Sequence, residues 1–100
     1  MIKRIVSANP RSNKLIEARQ WALELLAYIK KKWPQFSPEI FIEKNSDANR
    51  MYLMSQYESI GDLENALVET RTDEWFRAHY KKGKELFVDG SNDTILMESL

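Results

Sequence analysis

The sequence contains a single histidine, His79, whose imidazole is the side chain best suited to proton transfer near neutral pH. It ends the segment Asp73-Glu74-Trp75-Phe76-Arg77-Ala78-His79, in which aromatic residues recur at helical spacing. There His79 could act as a general base or as an axial haem ligand. A lone histidine also fits a structural role, in which a buried ring is satisfied by a backbone carbonyl or a carboxylate. The sequence leaves both roles open.

Asn9 is the second candidate catalytic residue, because its amide can both donate and accept a hydrogen bond and so orient a carbonyl or phenolate at the mouth of a pocket. It precedes Pro10, and an Asn-Pro pair is equally typical of a turn. Trp75, Tyr52 and Phe76 are the predicted ligand-binding residues, since aromatic side chains suit a flat apolar pocket. At helical and strand spacing, the same aromatic residues are also typical of a plain hydrophobic core.

Composition excludes several classes of function. The chain of 100 residues predicts one domain, residues 1–100, and the absence of cysteine excludes disulfides, thiolate catalysis and Cys-ligated metals. With a single histidine besides, we expect no metal site and no cofactor. Fifteen basic residues balance fifteen acidic ones, which removes the long-range attraction to nucleic acid or to an anionic membrane. No apolar run approaches the roughly 20 residues of a membrane span, and no secretory signal is recognisable, so we predict a cytoplasmic protein.

The order of predicted elements defines the fold class. Residues 14–33 place their apolar side chains on one helical stripe, and residues 59–87 form a second helical region that Thr70-Arg71-Thr72 interrupts. Ser59 and Thr72 are the expected helix caps of its two pieces. Strands are predicted at residues 2–8, 39–43, 50–57 and 94–98. The resulting β-α-β-β-α-β order predicts an α+β, ferredoxin-like fold, in which two helices cover one face of a four-stranded antiparallel sheet.

The predicted strands do not alternate between apolar and polar residues, as strands with one solvated face should. The runs Ile40-Phe41-Ile42, Met51-Tyr52-Leu53-Met54 and Ile95-Leu96-Met97 are apolar at consecutive positions. Two helices cover one face only, so a second copy of the chain is the expected cover for the other. We therefore predict a homodimer whose sheets face each other. The alternative is that a few apolar side chains are tolerated on an open face.

Over nearly its whole length, the chain resembles the dimeric α/β-barrel superfamily, which includes NIPSNAP-like, EthD-like and antibiotic-biosynthesis-monooxygenase-like proteins. The resemblance rests on element order and on the acidic, aromatic, then Ala-His run that ends at His79. It implies that two ferredoxin-like subunits pair into a dimeric α/β barrel and that ligands bind between helix and sheet. The haem-degrading branch has three characteristic residues. Two of them, an asparagine and a histidine, are similar in position to Asn9 and His79, and the third is a tryptophan ten positions before the histidine. Here Glu69 stands at that position, which argues against haem degradation.

Three candidate functions are compatible with the sequence. The first is a cofactor-independent monooxygenase or isomerase acting on a small aromatic or apolar molecule in the helix–sheet pocket, with His79 and Asn9 handling a proton. The second is a non-catalytic small-molecule-binding or assembly module. The third, haem binding through His79, is disfavoured by Glu69. Because one fold serves many functions, the resemblance does not choose among them.

Overall fold

The computed structural model describes residues 1–45 and 47–100, which form four strands, three α-helices and three short 3-10 turns. The strands are β1 (Ile2–Ala8), β2 (Glu39–Ile42), β3 (Met51–Tyr57) and β4 (Asp93–Glu98). The helices are α1 (Leu15–Lys32), α2 (Ile60–Thr72) and α3 (Glu74–Gly83).

The strands form one sheet in the order β2-β3-β1-β4, and every neighbouring pair is antiparallel. β1 lies near the centre of the sheet because it pairs with both β3 and β4. This arrangement confirms the predicted α+β, ferredoxin-like fold, in which β2 and β3 pair as neighbouring antiparallel strands.

The helix-facing side of the sheet carries the core. Along β1, the residues facing the helices are Ile2, Arg4, Val6 and Ala8, since side chains alternate between faces. Ile2 packs with buried residues of α1, α2 and β3 in the main cluster, and Met51 joins two alanines of α1 in a second cluster. The main cluster comprises Ile2, Leu25, Ile29, Trp33, Phe36, Tyr57, Leu63 and Ala66.

The other face of the sheet has no helix against it among the described residues. Alternation places six apolar side chains on this open face, and several of them are well exposed: Phe41 at 49%, Ile95 at 46% and Met97 at 48%. The complete set is Ile5, Phe41, Tyr52, Met54, Ile95 and Met97.

Of the two helix caps predicted for the interrupted helical region, one is confirmed and one is wrong. Ser59 caps α2 as predicted, accepting a hydrogen bond from the amide of Asp62 at 3.1 Å. The prediction that Thr72 caps α3 is wrong, because Asp73 occupies that position and accepts from the amide of Phe76 at 2.8 Å. The Thr72 hydroxyl instead donates back to the carbonyl of Val68 at 2.9 Å, within the last turn of α2.

Candidate functional site

A cavity of about 410 Å³ lies between the sheet and the helices α1 and α3. This volume is within the range of small-molecule sites. Its floor is formed by strand residues, its walls by aromatic and aliphatic residues of the two helices, and its rim by the loop that leads into β4. The residues that line it are Val6, Ser7, Ala8, Trp21, Ala22, Leu25, Ile40, Met51, Leu53, Tyr80, Gly83, Lys84, Phe87, Val88, Asp89, Gly90 and Asn92.

One wall of the cavity depends on a close fit between Trp21 and Gly83. A Cβ built on Gly83 would lie 2.4 Å from Cε2 of the Trp21 indole, which is far inside van der Waals contact. Gly83 ends α3, so only a residue without a side chain lets this helix end approach the indole. The indole nitrogen donates to the carbonyl of His79 at 2.6 Å, which fixes the ring beside the cavity.

His79 lies between α1 and α3 rather than on the cavity wall. Its Nε2 is 2.8 Å from the carbonyl oxygen of Trp21, and because a carbonyl only accepts, Nε2 carries the proton. The ring is 7% exposed and stacks between the indoles of Trp75 and Trp21, with centroid distances of 4.4 and 5.3 Å. His79 thus has the backbone-carbonyl partner expected of a structural histidine and does not line the cavity, and its catalytic role stays a prediction.

The surroundings of His79 do not fit a haem group. Both faces of the imidazole are covered by indoles, and its Nε2 already donates to a carbonyl. An axial ligand needs a free nitrogen that faces open space. No group of three or more His, Cys, Asp or Glu side chains in residues 1–45 and 47–100 is placed to hold a metal ion.

Trp75 continues the aromatic stack away from the cavity. Its indole stacks on Tyr28 with a centroid distance of 4.0 Å and is 38% exposed. Phe76, the next residue, turns towards the core, where its ring lies 6.0 Å from that of Trp33 and 4.8 Å from that of Tyr80. Neither Trp75 nor Phe76 lines the cavity, so their predicted ligand contacts are not made by this pocket.

A buried carboxylate anchors the junction of α2 and α3 to α1. Asp73 is 9% exposed and accepts from Tyr28 at 3.0 and 2.9 Å, from Lys32, and from the amide of Phe76. Burial acts to raise the pKa of the Asp73 carboxyl. The hydrogen bonds from Lys32, Phe76 and Tyr28 outweigh burial, so this pKa lies below its usual value.

Asn9 belongs to a hydrogen-bond network at the rim of the cavity. The guanidinium of Arg50 donates to Asn9 Oδ1 at 2.9 Å, to Ser7 Oγ at 3.1 Å and to the carbonyl of Ser91 at 2.8 Å. The backbone of Asn9 accepts from the amide of Val88 at 2.8 Å and donates to Ser91 Oγ at 3.0 Å. Asn9 thus holds the loop at the rim but does not line the cavity, and its catalytic role stays a prediction.

Tyr52 lies on the open face of the sheet, opposite to the cavity. Its register partners are Ser7 and Phe41, whereas the neighbouring Leu53 faces the cavity. Its hydroxyl donates to Glu43 Oε1 at 3.0 Å, and this hydrogen bond, helped by burial, raises the pKa of Tyr52. Tyr52 therefore does not line this cavity, and its contact with a ligand stays a prediction.

Polar groups at the rim were not predicted from the sequence. Lys84, Asp89 and Asn92 lie there, and Arg11 forms an ion pair with Asp89 at 3.6 Å. Gly90 has a positive φ of 76°, which lets the loop turn tightly over the opening. The available signal was the Asp89-Gly90 pair, which indicated a loop but not that the loop borders a cavity.

A second depression, of about 650 Å³, lies near the other end of the sheet. Its polar lining includes Gln35, Asn65, Glu58 and Glu69, in contrast to the apolar wall of the first cavity. An apolar ligand gains free energy when it moves from water into the apolar first cavity, so the first cavity is the candidate site.

The sheet order and the helices on one face define an α+β fold that is similar to the fold of antibiotic-biosynthesis-monooxygenase-like and NIPSNAP proteins. Neither a protein-family profile nor a curated protein sequence matches the chain.

No helix within the described part of the chain is both long enough and apolar enough to cross a membrane.

Solved structures match the fold over nearly the whole chain. A NIPSNAP family protein from Agrobacterium tumefaciens has a TM-score of 0.80 at 16% identity, covering 99% of this chain and 92% of its own. An uncharacterized NIPSNAP domain protein from Burkholderia xenovorans has a TM-score of 0.80 at 8% identity, covering 100% and 95%. A structure described as an antibiotic biosynthesis monooxygenase has a TM-score of 0.77 at 13% identity, covering 100% and 99%. At these identities the similarity is one of fold, and it agrees with the resemblance predicted from the sequence.

Proposed function

We propose that this chain is a cytoplasmic homodimer that binds a small aromatic or apolar molecule in the helix–sheet cavity and acts on it as a cofactor-independent monooxygenase or isomerase. The observation that carries the proposal is the 410 Å³ cavity, whose aromatic walls come from α1 and α3. The neighbour described as an antibiotic biosynthesis monooxygenase supports the reaction class, since it shares the fold.

The chain's contribution to such a reaction is to bind, orient and desolvate the substrate. Trp21 and Phe87 meet edge to face at the wall, with centroids 5.4 Å apart, and offer flat apolar surfaces to an aromatic ring. An electron-rich phenol supplies its own electrons to dioxygen. One oxygen atom enters the ring, the other leaves as water, and a quinone remains, so the reaction balances without a cofactor.

Within this proposal, His79 is a positioning residue. It contacts Trp21 through the hydrogen bond and the ring stack, and Trp21 contacts the cavity. The groups at the rim that can exchange a proton with a bound molecule are Lys84 and Asp89.

The open face of the sheet supports the proposed homodimer. Its apolar centre, which includes Ile5, Phe41 and Ile95, lies between charged residues of both signs, Lys3 on β1 and Glu39 on β2. A two-fold axis brings the same surface of each subunit together, so a surface with both signs of charge at its margins is self-complementary. A second copy of the chain is therefore the proposed cover.

A non-catalytic binding module is the second candidate function. It is favoured by one observation: His79 and Asn9, the residues predicted to move a proton, both have structural hydrogen bonds and lie off the cavity wall. In this alternative the cavity binds the same class of ligand without converting it.

Calorimetric titration with methyl 2-naphthoate, a neutral aromatic probe, tests binding in the cavity. Val6→Phe enlarges a side chain on the cavity floor and is expected to abolish binding, whereas Val68→Phe adds the same atoms at a position on α2 that is 60% exposed and is expected to leave it intact. Absence of binding by the unmodified protein, or equal binding by both variants, contradicts the proposal.

Oxygen uptake with 1-naphthol separates the enzyme from the binding module. The proposal predicts 1,4-naphthoquinone and water, with one dioxygen consumed for each quinone formed. An isomerase would consume no oxygen but would release a rearranged product. Binding without any conversion of ligands would favour the module.

A further inference from the structure

Arg4 is a half-buried cation on the helix-facing side of β1. Its register neighbours on that face are Ser55 of β3 and Leu96 of β4, and the side chain of Leu96 is 52% exposed. Within residues 1–45 and 47–100, the guanidinium of Arg4 has neither a hydrogen bond nor an ion pair. Five N–H donors are thus available at this position.

Arg50, the other half-buried arginine in this comparison, has hydrogen-bond partners for its guanidinium. Its guanidinium donates to Ser7, Asn9 and Ser91, all within 3.1 Å. Such partners are normal for buried polar groups, and no buried side-chain nitrogen or oxygen within residues 1–45 and 47–100 lacks one. The guanidinium nitrogens of Arg4 are therefore open to solvent, which leaves them free to bind an acceptor that the described chain does not supply.

Arg4 lies beyond the inner end of the cavity. The cavity runs along β1 from Ala8, beside the rim loop, to Val6, and both side chains point to the helices. Arg4 is the next residue on the same face, about 7 Å further along the strand. That separation is within the reach of an extended arginine side chain.

The Tyr80 hydroxyl is a second free polar group at this end. The ring of Tyr80 lines the cavity, and its hydroxyl has no hydrogen-bond partner in the described part of the chain. Burial raises the pKa of Tyr80, while nearby Arg4 lowers it by less, so the phenol remains protonated and can donate. The neighbouring Tyr57 hydroxyl is already used, since it donates to Ser55 Oγ at 2.9 Å.

We propose that Arg4 and Tyr80 form an anion subsite at the inner end of the cavity and that the ligand is an aromatic or apolar molecule carrying one carboxylate. The inference rests on the proposed function, because it assumes that the cavity binds the apolar part of the ligand. The carboxylate accepts from the Arg4 guanidinium and from the Tyr80 hydroxyl, which are charge-assisted hydrogen bonds. The apolar part occupies the space between Trp21 and Leu53.

The test compares 2-naphthoate with its neutral methyl ester by calorimetric titration of the full chain. A charge-assisted contact in a half-buried site is expected to make the acid bind about tenfold tighter than the ester. Arg4→Gln removes that preference but leaves affinity for the ester unchanged, and Tyr80→Phe weakens the acid about threefold. Lys3→Gln is the matched control, since it removes the same charge one residue away on the opposite face.

The outcomes distinguish failure of the subsite from failure of the cavity. Equal affinities for acid and ester in the unmodified protein, or an Arg4→Gln variant that keeps the preference, overturn the subsite and leave the cavity proposal standing. If neither probe binds, the cavity proposal fails and the subsite fails with it. If Arg4→Gln does not fold, Arg4→Lys replaces it in the same titrations. Because lysine keeps the positive charge, the subsite predicts that this variant retains part of the preference for the acid, and complete loss of the preference would overturn it.

Discussion

Trp21 and His79 exchange two hydrogen bonds between α1 and α3. The indole nitrogen of Trp21 donates to the carbonyl of His79 at 2.6 Å, and Nε2 of His79 donates to the carbonyl of Trp21 at 2.8 Å. Their rings are parallel within 1°. This reciprocal contact places the Trp21 indole beside the cavity, so the only histidine of the sequence contacts a residue that lines the cavity but does not line it itself.

Replacing His79 tests that positioning role. His79→Phe keeps an aromatic ring between the two indoles but removes the Nε2 donor, and it is expected to lower the free energy of unfolding by about 1 kcal/mol. Affinity for methyl 2-naphthoate should change less than twofold. If oxygen uptake is found, its rate should fall only to the extent that the substitution displaces the Trp21 indole from the cavity wall. A complete loss of turnover in a folded variant with unchanged binding would instead make His79 the proton-transfer group predicted from the sequence.

The contact between Gly83 and Trp21 gives a second prediction. Gly83→Ala should destabilise the fold by about 1–3 kcal/mol, because the new methyl group forces the indole to move. Chemical denaturation measures the loss, and the displaced indole should also weaken binding in the cavity. Gly61→Ala is the control: its added Cβ would meet only Ser59 Oγ at 3.7 Å, so helix propensity predicts a stability that is unchanged or higher by up to about 1 kcal/mol. Equal effects of the two substitutions would contradict the role given to Gly83.

Acid sensitivity follows from Asp73. Its folded pKa lies below the ordinary value of 3.8, so the stabilisation is complete above that value and is lost as pH falls through the folded pKa. Asp73→Asn should therefore be less stable than the unmodified protein near neutral pH, and the difference should shrink as pH falls below about 4. Denaturation curves recorded from pH 7 to pH 2 measure this. Asp47→Asn, at an exposed turn, is the control and should leave the free energy of unfolding at neutral pH close to that of the unmodified protein. A constant difference across the pH range would contradict the account of Asp73.

The proposed dimer can be tested at the centre of the open face. Ile95→Lys places a charge among apolar side chains and is expected to convert the dimer to a monomer, since burial of an unpaired charge in an interface is costly. Size-exclusion chromatography with light scattering should then report half of the original mass. Leu23→Lys, at a position on α1 that is 60% exposed, should leave the dimer intact. A monomeric mass for the unmodified protein at micromolar concentration would reject the homodimer.

The elements of this fold could be predicted closely because local patterns determine them. β1 has the bounds expected from its apolar residues and the following Asn9-Pro10 pair, and Ser59 caps α2 as its hydroxyl and position indicate. The cap of α3 was missed by one residue because Thr72 and Asp73 are both good capping residues. Asp73 caps the helix because its carboxylate also bonds Tyr28 and Lys32 on α1, a tertiary contact that no local pattern contains.

The candidate site was harder to predict because adjacent residues of one helix face different partners. His79 and Tyr80 are neighbours in the aromatic run, yet successive residues of a helix are turned by about 100°. Tyr80 therefore lines the cavity while His79 faces α1. Helical periodicity identifies the apolar stripe but not which edge of it borders an empty space. The space itself depends on how closely Gly83 lets α3 approach Trp21.

The central claim is that the cavity between helices and sheet binds a small aromatic or apolar molecule. Titration of 15N-labelled protein with methyl 2-naphthoate, followed by NMR, tests it most directly. The account predicts that the shifted amides cluster at the cavity, including those of Leu53, Gly83 and Gly90. Shifts confined to the open face around Phe41 and Ile95, or no saturable shifts at all, would contradict it.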